Sequence, residues 1–119
     1  MNLGKAMSNK DRFLAYLNHY AAKQLDAIAA LIADTITLRD WQISVSGKAA
    51  ALAETAKNFA GAKSLEIEVL RIYEGGNSVA GELRILVDGS IELFVVDVIE
   101  FDAAGQITSI RAYLGRGDS

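Results

Sequence analysis

Ile91-Glu92-Leu93-Phe94-Val95-Val96-Asp97-Val98-Ile99-Glu100-Phe101 is the stretch on which the fold turns. Its β-branched and aromatic residues predict a strand, and the two-residue alternation of a strand sends Leu93, Val95, Asp97 and Ile99 to one side. Phe94, Val96 and Val98 go to the other. Both faces are therefore apolar. A small monomer whose sheet is covered by helices on one side ordinarily shows a polar outer face, so the second apolar face predicts a homodimer formed through the sheet.

Working outward, the segment from Leu65 to Gly115 repeats this character. Apolar runs are separated by the turn signals Gly75-Gly76-Asn77, Asp88-Gly89 and Asp102-Ala103-Ala104-Gly105. These predict four consecutive strands over 65–74, 78–87, 91–101 and 106–114, antiparallel because hairpins join them. Glu66, Glu68, Glu82, Arg84, Glu100 and Arg111 read as exposed cross-strand charges.

The N-terminal half has a different period. Ser8-Asn9-Lys10-Asp11 is a helix start, followed by Phe13, Leu14, Tyr16, Leu17 and Tyr20 at three-to-four spacing, which predicts a helix to about Ala22. Leu25, Ile28, Ala29 and Ile32 predict a second helix ending near Ala33-Asp34. Thr35 to Trp41 reads as a short strand with Ile36, Leu38 and Asp40 inward and Thr37, Arg39 and Trp41 outward. The alanine-rich span Gly47 to Phe59, striped by Leu52, Ala56 and Phe59, predicts a third helix. Helices first and strands later, without βαβ alternation, give an α+β fold: a cone of three N-terminal helices packed on a curved, mainly antiparallel sheet.

The chain has 119 residues, 51% of them hydrophobic, which suits one domain over 1–119 with no internal boundary. It has no cysteine, so disulfides are excluded and a partner subunit becomes the expected source of extra burial. The net charge is −3 and the Lys and Arg residues are scattered, which argues against nucleic-acid binding. No apolar run reaches the ~20 residues of a membrane helix. Met1-Asn2-Leu3-Gly4-Lys5 is too polar to open a secretory signal, so a cytoplasmic location is expected.

Asp97 is the residue most suggestive of chemistry. An acid embedded among inward aliphatic residues is costly to ionise, so its pKa is expected to rise by several units from about 3.9, leaving a neutral group able to donate a hydrogen bond. Its structural alternative is an Asp marking a bulge or capping a backbone group. Asp40 shares inward parity with two apolar neighbours, although an acid at a strand end is as often a solvated turn residue. Tyr16 lies on the apolar stripe of helix one and on its own reads as a core tyrosine. His19 is the only histidine, with no cysteine to accompany it, so a surface or capping role is expected and no metal site.

Two stretches carry a resemblance. Leu25-Asp26-Ala27-Ile28 followed by Ala33-Asp34-Thr35-Ile36-Thr37-Leu38-Arg39-Asp40, and Val96-Asp97-Val98-Ile99-Glu100-Phe101-Asp102 with Gly105-Gln106-Ile107 and Arg111-Ala112-Tyr113, resemble the bacterial Δ5-3-ketosteroid isomerases. These belong to the superfamily that also holds SnoaL-like polyketide cyclases, limonene epoxide hydrolases and nuclear transport factor 2. The resemblance implies Tyr16 as a hydrogen-bonding tyrosine, Asp40 as a proton-shuttling base and Asp97 as a protonated oxyanion-hole acid. It implies no cofactor and no metal. The ligand it implies is small and hydrophobic, such as a steroid or polyketide, in an apolar pocket. That pocket is expected to use Phe13 and Tyr20 beside Tyr16, Ile36 and Leu38 beside Asp40, and Phe59 on helix three. Val95 and Ile99 beside Asp97, with Leu114 on the last strand, complete it.

Where the isomerases carry supporting aromatic groups, this chain has Ile32 and Leu114, and its third helix has no tyrosine. Val95 stands where the epoxide hydrolases need an arginine two residues from the acid. Three functions follow as expectations: a ketone isomerase, a SnoaL-like cyclase using one acid, or a non-catalytic ligand-binding module.

Overall fold

The structure, a computed structural model, describes residues 7–116. Met1 to Lys5, read above against a secretory signal, lie outside them. In chain order the elements are α1 (Asn9–Ala21), α2 (Leu25–Leu31), β1 (Ile32–Arg39), β2 (Ser44–Ser46), α3 (Lys48–Ala60), β3 (Leu65–Gly75), β4 (Ser78–Val87), β5 (Ile91–Phe101) and β6 (Ile107–Leu114). The strands form one sheet ordered β2-β1-β6-β5-β4-β3. Every pairing is antiparallel except that of β1 with β6. The three helices cover one face of this curved mixed sheet, so the expected α+β cone is the observed one.

Local chemistry explains the element boundaries. The Ser8 hydroxyl accepts from the Asp11 N–H at 3.0 Å, and Asp11 accepts in return from the Ser8 N–H at 3.3 Å, closing the box that starts α1. The helix two boundary needs correction. It ends at Leu31, and Ile32 is already extended (φ −100°, ψ 144°) and pairs with Ile107, because a β-branched side chain fits a buried sheet position better than a helix end. A register shift between Ile32 and Thr37 then leaves Ile32 and Ala33 both buried and Asp34 and Thr35 both exposed.

The strand expected over 35–41 also stops early, at Arg39. Asp40 and Trp41 belong to the turn that reverses the chain into β2, a three-residue strand that sequence reading missed. Ser44-Val45-Ser46 is too short for its alternation to stand out.

The core is built from Phe13, Leu17, Ile28, Ile32, Ile36, Val79, Leu83, Ile99 and Ile107. α3 sits one residue round from its expected orientation: Ala51 and Thr55 are its buried residues, while Leu52 and Phe59 pack partly buried at the flank. Small residues at the contact let the helix approach the sheet closely, and hydrophobicity alone gives no sign of this in a segment rich in alanine. Among the described residues no helix is long and apolar enough to cross a membrane.

Candidate active site

β5 places Asp97 at the centre of the inner face. Across the ladders its neighbours are Gly81 on β4 and Ala112 on β6. The two smallest side chains available therefore flank the acid. A Cβ at position 81 would lie 2.5 Å from Cζ of Phe13, so the absence of a side chain there lets the Phe13 ring of α1 close over the strand. Ala112 leaves the other flank of Asp97 open.

That open side is a cavity of about 370 Å³ lined by Tyr16 and Tyr20 of α1, Thr55 and Asn58 of α3, the turn from Asp40 to Ile43, and inward residues of β1 and β3 to β6. The volume is within the usual range for a site taking a small organic ligand. Tyr16, Asp40 and Asp97 all line it, as do Tyr20, Leu38 and Val95.

Other residues expected in the pocket lie elsewhere. Phe13, Ile36 and Ile99 are fully buried core side chains, held away from the cavity by their packing under the helices. Phe59 lies beside the wall, its ring edge-on to Tyr20 at 5.0 Å. Leu114, 47% exposed, pairs with Val95 at the end of the ladder and borders a shallow groove outside the cavity mouth. Its strand is running out there, so no helix covers it.

The three polar groups differ in environment. Asp97 is 9% exposed, and burial raises its pKa from 3.8 to about 7. Burial also drives the Tyr16 phenol well above its ordinary value, with nearby Tyr20 and Asp97 adding to the shift. Among the described residues neither Tyr16 nor Asp97 has a side-chain hydrogen-bond partner, yet no buried polar side-chain atom is sealed without one. Both groups therefore retain contact with the cavity, where an acceptor can reach them.

Asp40 is a turn residue as well as a cavity residue. Its Oδ1 accepts from the N–H groups of Gln42 at 2.7 Å and Ile43 at 2.9 Å, and its own N–H donates to the Ile43 carbonyl at 3.0 Å. Oδ2 takes no part in this turn. A carboxyl group fixed through one oxygen, with the other free, has the form of a positioned base.

His19 Nδ1 lies 2.7 Å from Gln24 Oε1 beyond the end of α1. Its role there is local. Trp41, read on parity as outward, lines the cavity because the turn carries it past the strand. Thr55, Asn58 and Ala112 were missed. A threonine in an alanine-rich helix and an alanine in a strand give no chemical signal, and Asn58 becomes visible only once the orientation of α3 is known.

Three helices on a curved mixed sheet, closing a cavity over a buried acid, define the nuclear transport factor 2-like class of α+β cones. Within it, the chain belongs to the SnoaL-like domain family, whose sequence profile matches residues 13–110. It is similar to a steroid Delta-isomerase of Nocardioides simplex, with 39% identity over 108 residues covering 87% of this chain and 86% of that protein. Among solved structures it is similar to an NTF2-like protein of unknown function from Cytophaga hutchinsonii, with TM-score 0.79 and 17% identity over 95% of each chain. A putative ketosteroid isomerase from Kribbella flavida superposes with TM-score 0.76 and 16% identity, covering 93% of this chain and 80% of that one. At such identities the two structural likenesses speak for the fold alone.

Proposed function

We propose that this protein is an isomerase that moves a carbon–carbon double bond in an enolisable, steroid-like ketone. The observation that carries this reading is one cavity lined by Asp40, Tyr16 and an Asp97 whose pKa is raised to about 7. In this mechanism Asp40 removes the proton next to the ketone. The developing dienolate oxygen accepts hydrogen bonds from Tyr16 and from neutral Asp97. Asp40 then returns the proton two carbons along, so the substrate is rearranged with no net change in composition. The isomerase at 39% identity supports the substrate class.

The test is turnover of a 5-ene-3-ketosteroid by wild type, Asp40→Asn and Asp97→Asn. No turnover above background in wild type, or equal turnover in wild type and Asp40→Asn, sinks the proposal.

The family match itself favours a second reading, a SnoaL-like cyclase working through Asp97 alone. Activity on a polyketide ester that survives loss of Asp40 but not of Asp97 would select it. Tight binding of ketones without turnover of either substrate would leave a ligand-binding module.

We infer further that the protein is a homodimer through the outer face of the sheet. Phe94, Val96 and Val98 lie there, half-buried. Val96 pairs with exposed Tyr113. The ion pairs Arg71–Glu82, Arg84–Glu68, Arg84–Glu92 and Arg111–Glu100 surround this apolar strip. An apolar centre with a charged rim is the usual composition of a subunit interface.

A further inference from the structure

Tyr20 lies one helical turn beyond Tyr16 on α1 and shares its cavity. The two rings are 6.0 Å apart between centroids and tilted by 50°, and the edge contact with Phe59 fixes the Tyr20 ring on its other side. The Tyr20 hydroxyl accepts a hydrogen bond from Asn58 Nδ2 of α3 at 3.0 Å. A phenol carries one proton and can donate as well as accept. Among the described residues, no side chain or backbone group takes that proton. The isomerisation outlined above assigns it no task.

The position of this pair is informative. Tyr16 is 5% exposed at the deep end of the site, whereas Asn58 is exposed at the surface. The helical rise of 1.5 Å per residue sets Tyr20 about 6 Å along α1 from Tyr16. Along α1 the cavity thus offers two phenols: a deep one, Tyr16, beside Asp97, and one nearer the surface, Tyr20, held by Asn58.

We propose that the Tyr20 hydroxyl, oriented by Asn58, is a second recognition point, so that the natural ligand is a polycyclic ketone bearing a second oxygen, hydroxyl or keto, between the reacting carbonyl and the cavity mouth. The tyrosine donates to that oxygen, and the Asn58 carboxamide, besides holding the phenol, offers its own Oδ1 as an acceptor for a hydroxyl proton. A ligand that covers the phenol but lacks this oxygen shuts out water without giving the proton a partner, which lowers its affinity. This inference rests on the ketone-binding reading and narrows it to oxygenated ketones.

The experiment is equilibrium binding of saturated tetracyclic ketones, which cannot be isomerised. Members of the set are identical except for one hydroxyl on the second, third or fourth ring, and the parent has none. Trp41 is the only tryptophan and lines the cavity, so its fluorescence reports occupancy directly. Wild type is expected to bind at least one hydroxylated ketone about tenfold more tightly than the parent, the effect of one good hydrogen bond. Tyr20→Phe and Asn58→Ala should each remove this preference, so that the parent and the hydroxylated ketones bind alike in the variant. Equal affinity of wild type for the parent and every hydroxylated ketone overturns the inference, as does a preference that survives in Tyr20→Phe. If wild type binds neither the parent nor any hydroxylated ketone, the ketone-binding reading falls and this inference falls with it.

Discussion

Asp97 and Ala112 face each other across the β5–β6 ladder, and β1, whose last residue Arg39 pairs with Arg111 of β6, delivers Asp40 to the cavity that both of them line. The two acids thus reach one cavity from either side of β6, Asp97 from β5 and Asp40 from the turn that follows β1.

Ala112→Leu should therefore obstruct the site while leaving the fold intact, because the added carbons project into empty cavity rather than into packed core. Ligand affinity measured by Trp41 fluorescence is expected to drop at least about tenfold, with thermal stability changed little. A variant that binds ligand as wild type does would show that Ala112 does not border the bound ligand.

The raised pKa of Asp97 fixes a sign for stability against pH. Its folded value of about 7 lies above the ordinary 3.8, so the folded state holds the proton more tightly than the unfolded chain between those values. This residue's contribution is most favourable below about pH 4, declines as pH rises through about 7 and is level above that. Asp97→Asn should remove that slope and be the more stable protein at pH 8, by at most roughly 4 kcal/mol, the equivalent of a three-unit shift. Urea unfolding of both proteins from pH 4 to 8 measures the difference. In the isomerase reading, wild-type kcat/KM also declines above about pH 7 as the neutral donor is lost, and this limb is absent in Asp97→Asn.

Asp40→Asn separates the two duties of that residue. The asparagine Oδ1 can still accept from the N–H groups of Gln42 and Ile43, so stability should stay within about 1 kcal/mol of wild type. Turnover of an enolisable ketone should fall by roughly 10²- to 10⁴-fold, the usual contribution of a general base. Asp40→Ala loses the turn contacts too and should be both inactive and less stable.

Gly81→Ala tests the packing behind the site. The new methyl meets the Phe13 ring at 2.5 Å from Cζ, and over-packing of this kind costs about 1–3 kcal/mol. Chemical denaturation should show the loss, and pairing Gly81→Ala with Phe13→Leu should recover part of it.

The proposed dimer is checked by sedimentation of wild type and Val96→Lys. A charge at the centre of the outer apolar strip should shift the protein to monomer at micromolar concentration, and an unchanged dimer would place the interface elsewhere.

Much of the fold was legible because periodicity is a local signal. The hairpin turns at Gly75-Gly76-Asn77 and Asp88-Gly89 separate β3, β4 and β5 within a residue of their expected bounds. The alternation in β5 is enough by itself to put Asp97 inward. What escaped were features with weak local signals: β2, only three residues long; the early end of α2 at Ile32; and the orientation of α3, where Ala51 and Thr55 compete with Leu52 and Ala56 in a uniformly small-residue helix.

The sequence by itself determined the α+β layout, the inward acid at position 97 and the apolar outer side of β5, since each follows from residue order and strand or helix period. Only the tertiary structure decided that Asp40 is both a turn cap and a cavity residue, that Phe13 fills the space left by Gly81, and that Tyr20 meets Asn58 across the cavity wall. These depend on the parallel pairing of β1 with β6 and on how α1 and α3 settle on the sheet, contacts between segments distant in sequence that local periodicity cannot encode.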